Sequence, residues 1–252
     1  MKKMDLTALL NGNPYPGRGI VLGRSADGRS AFVAYMIMGR SVNSRNRVFV
    51  GQPDGGIITK AFDESKVVDP SLIIYTPVRV PAQGTWIVTN GDQTDTVDAF
   101  LKEGKTFEEA LRTRCFEPDA PNFTPRISGL VEVKDGRLCY RLAISKSDNG
   151  NGDSVQRIFW EYEQPVAGEG HFLHTYSGDG NPLPSFEGEP ELVAVGDDFD
   201  AFTEGIWESL NAENKISLFT AQINLATGAA VRTLIHKRTS EMEARLWHRN
   251  SI

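Results

Sequence analysis

Apolar residues in the first third of the chain fall in consecutive runs instead of strict alternation. GIVLGRS from Gly19, SAFVAYMIM from Ser30, RVFVGQ from Arg47, GIITKAF from Gly56, SLIIYTPVRV from Ser71 and GTWIVTN from Gly84 each read as a β-strand. Asp27-Gly28 joins the first two as a hairpin turn. Runs that are apolar at every position predict strands covered on both faces. Ahead of them, Asp5 to Leu10 predicts one or two helical turns stopped at Asn11-Gly12, and Pro14, Pro16 and Gly17 predict a turn.

After TWIVTNG the period becomes helical. Val97, Phe100 and Leu101 share a face, with Thr94 or Asp95 as the cap and Gly104 as the end. Thr106 and Glu109 have capping-box spacing for a second helix, TFEEALRTR, whose buried face is Phe107, Ala110 and Leu111. PRISGLVEV and RLCYRLAIS form a hairpin about Asp135-Gly136. SDNGNGD reads as a flexible loop, and VQRIFWEYE and ELVAV as strands. HFLHTYSGDGNPLPSFEGEP is rich in Gly and Pro but too structured in composition for a linker. DDFDAFTEGIWESLN predicts a helix with Phe199, Phe202, Ile206, Trp207 and Leu210 inward. ISLFTAQINLATGAAVRTLIHKR predicts a last hairpin turning at Thr227-Gly228, and the polar tail SEMEARLWHRNSI leaves a helix open. Strands, two helices, strands, a helix and strands make an α+β protein with antiparallel sheets and helices outside them. No linker interrupts residues 1–252, so one domain is expected.

Composition adds little to this picture, whereas charge adds more. The chain has 252 residues, 40% hydrophobic and 24% charged, with a net charge of −6. That balance argues against nucleic acid as a partner and turns attention to small anionic ligands at locally basic spots. Cys115 and Cys139 have neither metal spacing nor a disulfide framework. No apolar run reaches membrane-spanning length, and LTALL is too short for an export signal, so a cytoplasmic protein without a membrane partner is expected.

Four stretches carry candidate chemistry. In AYMIMGRSVNSRNR an apolar strand ends at Gly39 and runs into Arg40, Ser41, Arg45 and Arg47. A fixed backbone followed by forked guanidinium donors suits phosphate oxygens, although such a cluster also occurs as a solvated hairpin end. In TNGDQTDTV a strand ends at Asn90-Gly91, and Asp92, Gln93, Thr94 and Asp95 open a helix whose free N–H groups attract anions. Capping explains one of these residues but not the set. In NFTPRISG, Pro125 holds Thr124 extended, so Arg126 enters its strand at a set angle. In HFLHTYSGDGN, His171 and His174 would face opposite sides of a strand, which argues against a metal site. Neither GxSxG nor a phosphate-binding Gly loop occurs, and no cofactor is expected.

Together, AYMIMGRSVNSRNR, VTNGDQTDTV and TPRISG resemble the archaeal-type IMP cyclohydrolase family, from about Gly17 to the ELVAV strand. The resemblance implies a four-layer αββα sandwich like the N-terminal-nucleophile hydrolase fold. It also implies dehydrative closure of formylated aminoimidazole carboxamide ribotide (FAICAR) to IMP in purine biosynthesis. It carries over at Tyr35, Arg40, Ser41, Arg45, Asn90-Gly91, Thr94-Asp95 and Thr124-Pro125-Arg126. Val42 and Asn43 depart from it, and Arg47 has no clear counterpart. Tyr35, Asn90, Asp95 and Arg126 are then the expected catalytic residues. Arg40, Ser41, Arg45, Arg47, Gly91, Thr94 and Thr124 are the expected binding residues for a purine ribotide. No metal is required, and a homo-oligomer is left open. Met1-Lys2 offers no Ser, Thr or Cys, so N-terminal-nucleophile chemistry is not expected. Two other functions remain: an amide hydrolase using Ser41 or Cys115, and a nucleotide-binding protein without turnover.

Overall fold

The computed structural model describes residues 3–67 and 74–238. Part of the SLIIYTPVRV stretch and all of the SEMEARLWHRNSI tail therefore lie outside the described residues. In order, the elements are α1 (Leu6–Gly12), β1 (Arg18–Arg24), β2 (Ser30–Met38), β3 (Arg47–Gly51), β4 (Ile57–Ala61), β5 (Val78–Ala82) and β6 (Thr85–Thr89). There follow α2 (Gln93–Lys102), α3 (Phe107–Arg112), β7 (Arg126–Lys134), β8 (Arg137–Asp148), β9 (Asn151–Tyr162), β10 (Glu169–His174) and β11 (Glu191–Ala194). The last three are α4 (Phe199–Ser209), β12 (Lys215–Asn224) and β13 (Ala230–His236).

The α+β expectation holds, with two antiparallel sheets. One runs β11-β10-β1-β2-β12-β13 and the other β3-β4-β5-β6-β7-β8-β9. Strand β2 shows why its sequence is apolar throughout, for all nine of its residues are buried. Ala31, Val33, Tyr35 and Ile37 join Ile20, Leu22 and Phe219 in a core shared with Phe49, Trp86, Val88, Ile127 and Leu142 of the second sheet. Ala34, Met36 and Met38 face the other way, onto Leu6 and Leu10 of α1 and Ile206 of α4. On the second sheet, Ile87, Leu130 and Ala143 pack outward against Val97 of α2 and Phe107, Ala110 and Leu111 of α3. Each Val, Leu, Ile, Phe or Met among these contributes roughly 1.5–3 kcal/mol when fully buried.

The structure departs from the pattern-based expectation in three places. SDNGNGD is not a loop. Strands β8 and β9 run through it, leaving only Asn149 and Gly150, at φ 51 and 77, to make the turn. Two successive left-handed residues give a turn whose twist matches paired strands, and Asn-Gly is the pair that adopts it. HFLH is strand β10, held between β1 and β11. Its histidines and glycine hid it from a hydrophobicity pattern. The cap of α2 is Asp92, with no side-chain capping bond, and not Thr94 or Asp95. The capping box of α3 is present as expected, with Thr106 and Glu109 exchanging bonds.

Candidate functional site

Several strands start or finish at one end of the two sheets, where charged residues gather and Arg47 is buried. Arg18 opens β1, opposite Ile37 near the end of β2. Arg47 opens β3, Asn90 follows β6, and Arg126 opens β7 opposite Ser145. Tyr176 follows β10 after Thr175.

Arg47 is the most unusual of them, being only 2% exposed. Its Nε donates to the Ser44 carbonyl at 2.8 Å and one terminal nitrogen to Met38 at 3.4 Å. Burial pushes its pKa down, and the nearby Arg18 charge pushes it further. Arg18 is itself largely enclosed. Burial works against its charge, but Glu117 and the surrounding tyrosines outweigh it and raise its pKa. The Arg18 Nε is buried with no hydrogen-bond partner. Two guanidiniums that repel each other, one with a buried donor that has no partner among the described residues, suit an anionic ligand.

Tyrosines complete the surroundings. The Tyr35 hydroxyl lies 2.9 Å from that of Tyr75, and its ring stacks on Phe49 at 5.6 Å. Tyr35 is 0% exposed. Burial and Tyr75 push its pKa well above the ordinary value, against the pull of Arg18 and Arg47. Tyr176 is fixed twice. Its hydroxyl is 2.6 Å from Thr124 Oγ1, and its carbonyl accepts from His174 Nδ1 at 2.8 Å while His174 Nε2 faces Glu191 at 3.0 Å. Burial pushes the Tyr176 hydroxyl up to about 12, so it serves as a neutral donor. Thr124 also bonds Asp119 through its amide and hydroxyl.

The Arg126 guanidinium is held on three sides and is 18% exposed. It donates to Gln93 Oε1 at 3.0 Å, meets Asp92 at 3.1 Å, and lies 4.0 Å from Glu117. A Cβ on Gly91 would sit 1.4 Å from its Nη1, so glycine there is a condition of its position. Asp92 also pairs with Arg114. Burial opposes its ionisation, but Arg114 and Arg126 prevail and its pKa is lowered. Glu117 links the Arg126 group to Arg18, whose pKa it raises.

Among the residues expected from sequence, Tyr35, Arg47, Gly91, Thr124 and Arg126 come together here. Asn90 is present as a clamp. Its amide donates to Pro125 at 2.8 Å, and its Oδ1 accepts from Ile127 N at 2.9 Å and Gln93 at 3.0 Å. Thr94 is buried against Thr89 at 2.6 Å. Asp95 does not orient Asn90. It is 61% exposed and pairs with Arg79 at 2.5 Å. Arg40 pairs with Asp179, donates to Gly180 at 3.0 Å, and lies 5.0 Å from the Tyr15 ring centroid. Ser41 exchanges hydrogen bonds with Ser44. Arg45 is drawn to the Gly39 carbonyl at 3.0 Å and Asn214 at 3.3 Å, and no contact joins it to Arg47 or Arg126. Among the described residues no histidine contacts Ser41 or Cys115. The exposed Cys115 is a free thiol.

Sequence reasoning missed Arg18, Tyr75 and Glu117, and passed over Tyr15. Arg18 did carry a signal, since an arginine heading an apolar strand is the pattern that singled out Arg126.

A family model described as IMP cyclohydrolase-like protein matches residues 15–228. A protein of Methanosphaera stadtmanae named IMP cyclohydrolase is 32% identical over 124 residues, 48% of this chain and 59% of that protein. The chain thus spans less than two thirds of that relative's length. A second of the same name, from Methanopyrus kandleri, is 27% identical over 175 residues, 68% of this chain and 79% of that protein.

Proposed function

Because the chain belongs to the IMP cyclohydrolase-like protein family, we propose that it closes FAICAR to IMP. The observation that carries this reading is the Arg18–Arg47 pair, with Arg47 buried and Arg18 half-buried, which makes no ion pair among the described residues and lies within reach of Glu117, Tyr75 and Tyr35. A ribotide phosphate offers this pair a second anion beside Glu117.

In this reading the carboxamide nitrogen attacks the formyl carbon of the same molecule. The new N–C bond forms, and the formyl oxygen leaves as water with one proton from each of the two nitrogens. Much of the acceleration then comes from holding a folded, near-attack substrate. Arg126, fixed by Gln93 and Asp92, stabilises the negative oxygen of the tetrahedral intermediate. Tyr35 and Tyr75 supply a neutral hydroxyl donor to that oxygen, and Glu117 accepts the carboxamide proton. Arg40, Ser41 and Arg45 hold the loop that borders the phosphate, while Asn90, Gly91 and Thr94 hold the Arg126 side. Asp95, exposed and paired with Arg79, takes no part in this reading. No step calls for a metal or redox cofactor.

We read the two packed sheets, with α1 and α4 outside one and α2 and α3 outside the other, as the four-layer αββα sandwich of the N-terminal-nucleophile hydrolase fold. The outward packing clusters support that reading. The test is direct: incubate the protein with FAICAR and follow purine absorbance. IMP formation supports cyclisation. Release of carboxylate or ammonia from simple amides points to an amide hydrolase. IMP binding without turnover leaves a nucleotide-binding protein.

A further inference from the structure

At the other end of the strands, the turns after β3, β5 and β12 meet around a cavity of about 300 Å3. Val80, Ala82 and Trp86 form an apolar wall, Asp54 and Gln83 lie at its polar side, and Arg232 of β13 brings a cation. Arg232 pairs across the strands with Ala221, and Phe219, Ala221 and Ile223 face the core between the sheets. Directly paired residues share a face. The guanidinium is therefore directed between two sheets, where charge is uncommon without a partner.

Among the described residues only Asp54, which shares the cavity, attracts it. Arg232 makes no side-chain hydrogen bond or ion pair among the described residues. Asp54 makes no ion pair with it, and its Oδ1 accepts from Gly56 N at 2.9 Å. The guanidinium lies against bare backbone, for a Cβ on Gly55 would come within 2.6 Å of its Nη1. Burial lowers the pKa of Arg232 against the pull of Asp54, yet a guanidinium remains charged. On the apolar side, the Trp86 indole N–H is buried without a hydrogen-bond partner. A cation and an apolar wall therefore share one half-open cavity.

We propose that this cavity is a second binding site, for a small aromatic or branched carboxylate whose acid group pairs with Arg232 and whose body lies on Val80 and Trp86. A carboxylate matches the guanidinium fork and supplies the missing charge. At the roughly 30 Å3 that a water-sized group occupies, the cavity takes a molecule of about ten non-hydrogen atoms, the size of benzoate. Inward charges on edge strands also serve to block sheet pairing, and β13 is an edge strand. That role accounts for the cation but not for the cavity beside it.

The experiment is a titration of the 15N-labelled full chain with benzoate, phenylacetate and indole-3-carboxylate, beside benzamide as the neutral control. At least one acid is expected to bind with a Kd of about 1 mM or tighter, moving the Trp86 indole signal and backbone signals of 80–86 and 228–232. The Trp86 signal is assigned by its loss in Trp86→Phe. Arg232→Gln should weaken binding at least ~10-fold, the size of a lost charged contact. Ala230→Leu, which fills the space, should abolish it. Spectra of both variants without ligand report whether they fold. Arg47→Met, at the far end, should leave it unchanged. The proposal is overturned if no acid moves these signals, which leaves Arg232 as an edge-blocking charge, or if benzamide or Arg232→Gln binds as well as the acid and parent do.

Discussion

A guanidinium as deeply buried as that of Arg47, with two backbone carbonyls as acceptors, has lost most of its hydration and recovered part of it. In the proposed reading a ribotide phosphate supplies the rest. Arg47→Met keeps the volume and removes the charge beside Arg18. IMP should raise the Tm of the parent protein well above the rise given by inosine, and in Arg47→Met that difference should vanish, as read by thermal melting. Equal shifts from IMP and inosine in the parent would take the phosphate away from these arginines. Tyr35→Phe deletes a hydroxyl whose route outward runs through Tyr75, so it should lower kcat with little change in KM. Unchanged kcat would remove it from the chemistry. Gly91→Ala should lower kcat at least ~100-fold in a folded protein, since the new Cβ claims the place of the Arg126 Nη1 and removing one such donor costs about that much. Arg126 and Gly91 were legible in the sequence because a turn or a proline set them off. Arg18 was hidden inside what reads as a Pro-Gly turn. Tyr75 and Glu117 reach the site only through tertiary contacts, which no local pattern records.

Helix α3 has six residues and could not persist alone. It rests on burial of Phe107, Ala110 and Leu111 and on the reciprocal bonds of Thr106 and Glu109. It also leads to Arg114, which pairs with Asp92, and then to Glu117. Thr106→Ala should therefore cost about 1 kcal/mol of stability in a urea titration, the usual worth of such a cap. A loss under ~0.3 kcal/mol would mean that burial alone defines the helix start. This element was readable from four letters of sequence, because both capping partners are local. Strands β8 and β9 were not readable at their tips. Their tips, from Asp148 to Asp153, stand exposed, so this polar stretch looks like a loop. Strand β10 failed for the opposite reason. It is central in its sheet, yet two of its six positions are histidines packed on aromatic rings.

For the whole molecule, the α+β class followed from the two hydrophobic periods, but the division of strands between sheets did not. β1 pairs with β10 and β2 with β12, contacts between distant parts of the chain that only the folded structure brings together. Two histidines lie where the resulting sheets meet. His171 of β10 stacks on Tyr162 of β9 at 3.8 Å and bonds the Tyr140 hydroxyl of β8 at 2.8 Å. His236 of β13 meets Phe49 of β3 edge-on and lies 3.0 Å from Ser217. Burial pushes each imidazole down to about 4, with Glu169 opposing it slightly at His171. Both rings are therefore neutral in the fold, while in the unfolded chain they take up protons near the ordinary value of about 6.5. Protons then bind the unfolded state more tightly, so stability is complete above about pH 6.5 and declines as pH falls toward 4. Lowered carboxylates such as Asp92 and Asp63, the latter at about 2, lose their charge only in stronger acid, which leaves the window between to the histidines. Urea midpoints should accordingly drop between pH 7 and pH 4.5, and His171→Gln combined with His236→Asn should flatten that drop while keeping polar partners for Tyr140 and Ser217. If the double variant loses as much stability over that range as the parent, the seam between the sheets is not what acid opens.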